Sequence, residues 1–156
     1  MATLKELLPS CGNLQIDLDD SAISREMSNR EAVLTSEVLL AVTDQNMVEF
    51  VDEWISINVD YGVAAVALSA ISVILLRLCR PDTEVLRKLA SRLVELLGSP
   101  AAIIRFRVVT CLLFLKTMNM LENQWMIIRE IKRTRERESS EKVKALINNM
   151  DNLIPR

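Results

Sequence analysis

Four cationic residues near the C-terminal end of the chain have the spacing of one helix face. They are Arg129, Lys132, Arg133 and Arg137. Positions i, i+3, i+4 and i+8 line one side of an α-helix, and cations on one face could bind an acidic peptide or phosphates. Nucleic-acid binding by base stacking would also need aromatic side chains, and none is interleaved with these cations. Glutamates are interleaved, so a charged helix that only faces water has the same pattern.

Both tryptophans are candidate anchors for a partner protein. Trp54 and Trp125 each lie in an apolar stretch of a predicted helix. Tryptophan is enriched among the residues that dominate binding energy at protein interfaces. Packing in this protein's own core is the alternative role for each of them.

Apolar and acidic residues alternate near the N-terminus. The segment contains Leu14, Ile16, Asp17, Leu18, Asp19 and Asp20. Such alternation suits a strand that adds to the edge of a partner's sheet, and it resembles SUMO-interacting motifs, in which acids flank a short apolar run. The alternative is a strand or turn that covers this protein's own core. The aspartates lack the other ligands and the central glycine of a calcium loop, so we predict no metal site there.

The sequence offers little material for catalysis. It contains no histidine and three glycines, which excludes histidine bases, histidine metal ligands and a glycine-rich phosphate cradle. Cys11, Cys79 and Cys111 are odd in number and widely spaced, which indicates neither a disulfide framework nor a zinc site. We therefore expect no enzyme activity, no cofactor and no metal. Free thiols also predict a reducing compartment, cytoplasmic or nuclear.

The composition predicts that helices position these residues. Of the 156 residues, 50% are hydrophobic and 4% are aromatic, and turn residues are too few for a β sandwich or barrel. We therefore predict an all-α fold.

The net charge of −2 gives no overall attraction to nucleic acid or anionic lipid. The uncharged stretch 61–76 is shorter than the roughly 20 residues that cross a bilayer, which favours a buried helix.

Two segments differ in their patterning. Residues 1–27 sustain no helical stripe, so we predict a flexible or loosely docked arm, followed by a single helical domain over 28–153. Ser28 and Glu31 have the spacing of a capping box, which marks the start of this domain. Apolar periodicity then predicts about seven helices. Their breaks fall near Asp44, between Ile55 and Tyr61, at 80–82, at 98–100, near Asn119 and at 139–140.

The helices also match one another at a spacing of 37 residues. Val38 and Leu39 align with Leu75 and Leu76 and with Leu112 and Leu113. Periods of this size mark solenoids of helical hairpins, and the corner at Arg80, Pro81 and Asp82 resembles that of a HEAT repeat. Residues 30–136 therefore resemble a HEAT or armadillo-type repeat domain, which implies stacked helical hairpins. A closed helical bundle is the alternative architecture, since it would bury the same apolar surface.

We consider three functions for such a chain. The favoured one is a non-enzymatic protein–protein interaction module, an adaptor, scaffold or assembly subunit, that presents a helical surface or groove to a partner protein or to a second copy. The first alternative is nucleic-acid binding through the basic face at 129–144. The second is a membrane-associated bundle, because Asn58 to Gly62 followed by an apolar helix resembles the signature region of Bcl-2-like proteins, without its diagnostic tryptophan.

Overall fold

The computed structural model describes residues 2–16, 23, 27–77, 83–117 and 124–153, and these form helices and no strand. The predicted all-α fold is confirmed for this part of the chain. The helices are Leu4–Ser10 (α1), Asn29–Ala41 (α2), Met47–Trp54 (α3), Tyr61–Arg77 (α4), Thr83–Leu96 (α5), Ala102–Thr117 (α6), Gln124–Arg137 (α7) and Glu141–Leu153 (α8). A 3-10 turn at Cys11–Asn13 follows α1.

The helix contacts form two series. In the first series α2 contacts α4, α4 contacts α6, and α6 contacts α8; in the second, α3 contacts α5 and α5 contacts α7. The second series also packs on the first, through α3 on α4, α5 on α6, and α7 on both α6 and α8. Helices α2 and α3 therefore lie at one end of the two series, and α7 and α8 lie at the other.

Helices α4 and α6 form the centre of the core, because their sequences are apolar on nearly every face. Every residue of α4 from Gly62 to Leu68 is buried, and α6 has buried side chains on several sides, among them Val108 and Leu112. Neighbouring helices of the first series cover both of them: α2 and α6 pack on α4, and α4 and α8 pack on α6. Burying each large aliphatic side chain contributes about 1.5–3 kcal/mol.

Residues 4–11 contribute to this core, whereas the sequence predicted a flexible or loosely docked arm over residues 1–27. Leu8 and Cys11 have no exposed surface, and α1 packs on α2 and α4. The helix was missed because it has seven residues and contains Pro9, and so short a helix shows no sustained stripe and depends on tertiary packing.

The predicted helix breaks are confirmed at Ser28 and at 98–100, whereas near Asp44 the next helix begins after Asn46 without a side-chain cap. Ser28 caps α2, and its Oγ accepts a hydrogen bond from the backbone N–H of Glu31 at 3.2 Å. The corner at 98–100 separates α5 from α6, where Ser99 Oγ accepts from the N–H of Ala101 at 3.3 Å. The corners at 80–82 and near Asn119 lie outside the described residues.

Two arginines of α6 connect helices that are distant in the sequence. Arg107 pairs with Glu31 of α2 and donates to the carbonyl oxygen of Ala65 at 3.0 Å, so its side chain crosses α4. Arg105 forms hydrogen bonds of 2.7–3.1 Å with the carboxylate of Glu138. Both ion pairs are largely buried. They fix α2 and the junction between α7 and α8 against the central helix.

Candidate functional site

Helix α7 carries the predicted basic face, and all four of its cations are exposed. The helix is amphipathic because isoleucines recur on its other side, where Ile131 is buried in the core and Ile127 is half-buried against it. This apolar side fixes α7 on its neighbours. The cations therefore project from a helix that is held by packing.

Trp125 lies on the same face as Arg129 and Lys132. Its side chain is 62% exposed, and the guanidinium of Arg129 lies 6.0 Å from the centre of its ring, within the range of a cation–π contact. The sequence predicted Trp125 in an apolar stretch and no aromatic among the cations. Its position four residues before Arg129, which is one helical turn, is the signal that could have indicated this contact. We refer to Trp125, Arg129, Lys132 and Arg133 as the basic face; Arg137, the fourth predicted cation, lies about 120° around the helix from Trp125, on the side that faces α5.

The charges of α7 are unbalanced. The helix contains five cations and two glutamates, a net charge of +3, whereas the whole chain has a net charge of −2. Glu130 pairs with Arg133 at 3.4 Å. No carboxylate of the described residues forms an ion pair with Arg129, Lys132 or Arg137. The basic face therefore has a local positive field that attracts anionic groups within about 10 Å at 0.1 M salt.

A groove of about 430 Å³ lies between α7 and α5. Glu130, Thr134 and Arg137 line its α7 side, and Glu95 lies on its α5 side. At 100° per residue, this stripe of α7 is nearly opposite the stripe that carries Trp125 and Lys132. The tryptophan therefore lies on the side of α7 that faces away from α5.

Trp54, the other predicted anchor, lies at the end of α3. It is half-buried and packs against the core, and its indole Nε1 is buried without a hydrogen-bond partner among the described residues. Helices α3 and α7 are the two ends of the second series, so the structure does not place the two tryptophans in one site.

The N-terminal acidic segment is described only in part. Leu14 and Ile16 are half-buried, pack against the core and form no strand. Their position favours the interpretation in which the segment covers this protein's own core. The other members of the predicted motif, Asp17, Leu18, Asp19 and Asp20, lie outside the described residues.

The two described cysteines, Cys11 and Cys111, are buried and free. Burial raises the pKa of each thiol from 9.0 to about 11. Cys111 also lies 3.3 Å from the hydroxyl of Ser72. Both thiols are therefore protonated at neutral pH, and a protonated, buried thiol is a poor nucleophile. Cys79 lies outside the described residues.

We expect the free energy of unfolding to fall as the pH rises from about 9 to about 11. Thiols of the unfolded chain lose their protons near pH 9.0, whereas those of the folded chain retain them to about pH 11. The unfolded state then binds fewer protons, and stability declines with pH. Urea denaturation across this window should give a shallower decline for Cys111→Ala than for the wild type. All other titratable groups are the same in the two proteins, so equal slopes would contradict the prediction.

Among the described residues, no group of three or more acidic or cysteine side chains is placed to hold a metal ion. No described helix is long and apolar enough to cross a membrane. Comparison with known proteins finds no matching family model, no similar curated protein and no similar solved structure.

Proposed function

We propose that this protein is a non-enzymatic interaction module that docks a partner protein on the basic face of α7. The observation that carries the proposal is the 62% exposure of Trp125 beside Arg129 and Lys132, which have no carboxylate partner among the described residues. Tryptophan and arginine are the residues most enriched in interface hot spots. Burying the indole would remove apolar surface from water at about 25 cal/mol per Å².

The proposed scaffold is a stack of helical hairpins of the HEAT or armadillo type. The two contact series support this architecture, because consecutive helices alternate between them. A closed bundle would bring α2 against α8, whereas the main contacts of α2 are with α1 and α4, and those of α8 are with α6 and α7. A stacked scaffold holds each exposed helix face in a fixed position.

The chemistry of the basic face specifies what a partner must supply. Carboxylates would pair with the guanidinium group of Arg129 and the ammonium group of Lys132, and an apolar recess would take the indole ring. Charge pairs of this kind mainly raise the association rate and the specificity, while the buried aromatic contributes most of the affinity.

Affinity purification with the tagged protein as bait tests this proposal. We expect the variant Trp125→Ala with Arg129→Glu and Lys132→Glu to recover its specific partners at least about tenfold less than the wild type, since one hot-spot residue contributes about 2 kcal/mol or more. Quantitative mass spectrometry of the recovered proteins measures the loss. Circular dichroism checks that each variant is folded.

The matched control changes one exposed apolar side chain and two exposed cations on another part of the surface. Leu76 is exposed on α4, and Arg77 and Arg87 are exposed cations on α4 and α5. Leu76→Ala with Arg77→Glu and Arg87→Glu should retain the recovered partners. Equal recovery by the wild type and the Trp125 variant would refute the proposal. Loss of every partner after nuclease treatment would instead indicate nucleic-acid binding.

A further inference from the structure

The two end helices of the second series carry opposite charges. Helix α3 contains Glu49, Asp52 and Glu53 and no cation, a net charge of −3. Helix α7, at the other end of the series, has a net charge of +3. Surfaces of opposite charge attract each other between molecules as well as within one.

The exposed acids of α3 lie beside its contact with α5. Asp52 pairs with Lys88 and Arg92 of α5 at 3.3 and 3.9 Å, so it marks the side of α3 that faces α5. Glu49 and Glu53 are exposed and are one turn apart, and at about 100° per residue their stripe lies about 80° from Asp52. Glu49 also forms an exposed ion pair with Lys5 of α1 at 3.5 Å. Helix α3 itself contributes only acids to this surface.

Helix α7 has cations where α3 has acids. Its stripe of Glu130, Thr134 and Arg137 faces the groove shared with α5, and Trp125 and Lys132 lie on the side that points away from it. The exposed surface of α3 thus carries acids, and the side of α7 that points away from α5 carries cations and a tryptophan.

The exposed apolar side chains are also unevenly distributed. Within the described residues, five of the eight large exposed apolar side chains lie in or beside α2 and α3, and none lies on α5 or α6. The five are Met27, Val33, Leu40, Val48 and Ile57. The acidic end therefore has apolar surface that an indole ring could cover.

We propose that this protein assembles head to tail, with the basic face of α7 in one copy docked on the α2 and α3 end of a second copy. The cations of α7 would pair with Glu49 and Glu53, and Trp125 would pack on exposed apolar side chains of that end. The inference rests on the proposed function, because it uses the same basic face and names its partner. A contact between two different surfaces leaves one of each kind free at the ends of an assembly, so further copies can add.

Sedimentation of the purified full chain tests this assembly. We expect the average mass to rise above that of the monomer with concentration at about 10 mM salt and to return towards it at about 1 M salt, where charges are screened beyond about 3 Å. A protein that remains monomeric at low salt up to about 100 µM would overturn the inference. Loss of extract partners by the Trp125 variant would then still support the proposed function.

Variants with reversed charges identify the two surfaces that meet in the assembly. Glu49→Lys with Glu53→Lys reverses the acidic end, and Arg129→Glu with Lys132→Glu reverses the basic face. Each double variant alone should associate at least about tenfold more weakly than the wild type. An equimolar mixture of the two should recover association, because each reversed surface then meets its complement on the other protein.

The matched control reverses exposed charges in the middle of the second series. Arg87→Glu with Glu95→Lys on α5 preserves the net charge and should leave the association unchanged. Failure of the mixture to recover association would overturn the head-to-tail arrangement, since in that arrangement each reversed surface meets an oppositely charged surface on the other protein. Undiminished association of either double variant alone would also overturn it.

Discussion

Replacing Arg105 with methionine is expected to lower the free energy of unfolding by about 3–5 kcal/mol. The side chain of Glu138 is 1% exposed, and Arg105 donates to both of its carboxylate oxygens. Arg105 also donates to the carbonyl oxygen of Ser99 at 2.8 Å. Methionine retains the apolar stem but leaves a buried carboxylate without its counter-charge. The expected cost is that of an unpaired buried charge, not the net contribution of the ion pair.

Urea denaturation of Arg105→Met and the wild type measures this cost. The matched control is Arg133→Met, which removes an arginine from the exposed pair with Glu130 and should change stability by about 0.5 kcal/mol or less. Adding Glu138→Gln to Arg105→Met should restore part of the loss, because the amide oxygen can still accept from the backbone N–H of Ser140, as the carboxylate does at 3.0 Å. A loss below about 1 kcal/mol for Arg105→Met would show that water reaches the carboxylate.

Local signals in the sequence predicted the elements well. The hydroxyl of Ser28 is close to the N–H groups that it caps, so three residues suffice to locate the start of α2. The spacing of Arg129 and Lys132 is likewise a property of one helix. Such features depend on residues within one or two turns, and the sequence contains them directly.

Features that depend on tertiary contacts could not be predicted in this way. The partner of Arg105 is 33 residues away, and nothing in the sequence distinguishes Glu138 from the solvent-exposed glutamates near it. The Glu31 carboxylate, predicted to complete a capping box, pairs with Arg107 because the fold brings α6 within its reach. The exposure of Trp125 depends on which side of α7 packs on the core.

Helix α1 also depends on tertiary contacts that its own sequence does not reveal. Its sequence is too short to form a stable helix alone, and its position depends on a close approach to α4. A Cβ built on Gly62 would lie 2.0 Å from the carbonyl oxygen of Cys11 and 3.1 Å from the Cβ of Leu14. The absence of a side chain at Gly62 therefore allows the 3-10 turn to lie directly on α4, a relation that neither segment reveals alone.

Gly62→Ala is expected to destabilise the protein by an amount on the order of 3 kcal/mol, the upper end of the range for overpacked cores. The Cys11 carbonyl is backbone and accepts a hydrogen bond from the N–H of Leu14 at 3.0 Å, so it cannot move aside without disturbing the turn. Displacing the turn would expose Cys11 and the leucines of α1 that pack beside it. Urea denaturation measures the loss of stability, and Ellman's reagent under native conditions measures exposure of the Cys11 thiol.

The glycine control for this substitution is Gly98→Ala. A Cβ on Gly98 would meet the carbonyl oxygen of Glu95 at 3.4 Å, which is an ordinary contact, so stability should change by about 0.5 kcal/mol or less. A Cys79→Ser background restricts the thiol assay to Cys11 and Cys111. We expect Cys11 to react in Gly62→Ala and to remain protected in Gly98→Ala. A Gly62→Ala protein with the stability of the wild type and a protected Cys11 would show that the N-terminal turn does not depend on this close approach.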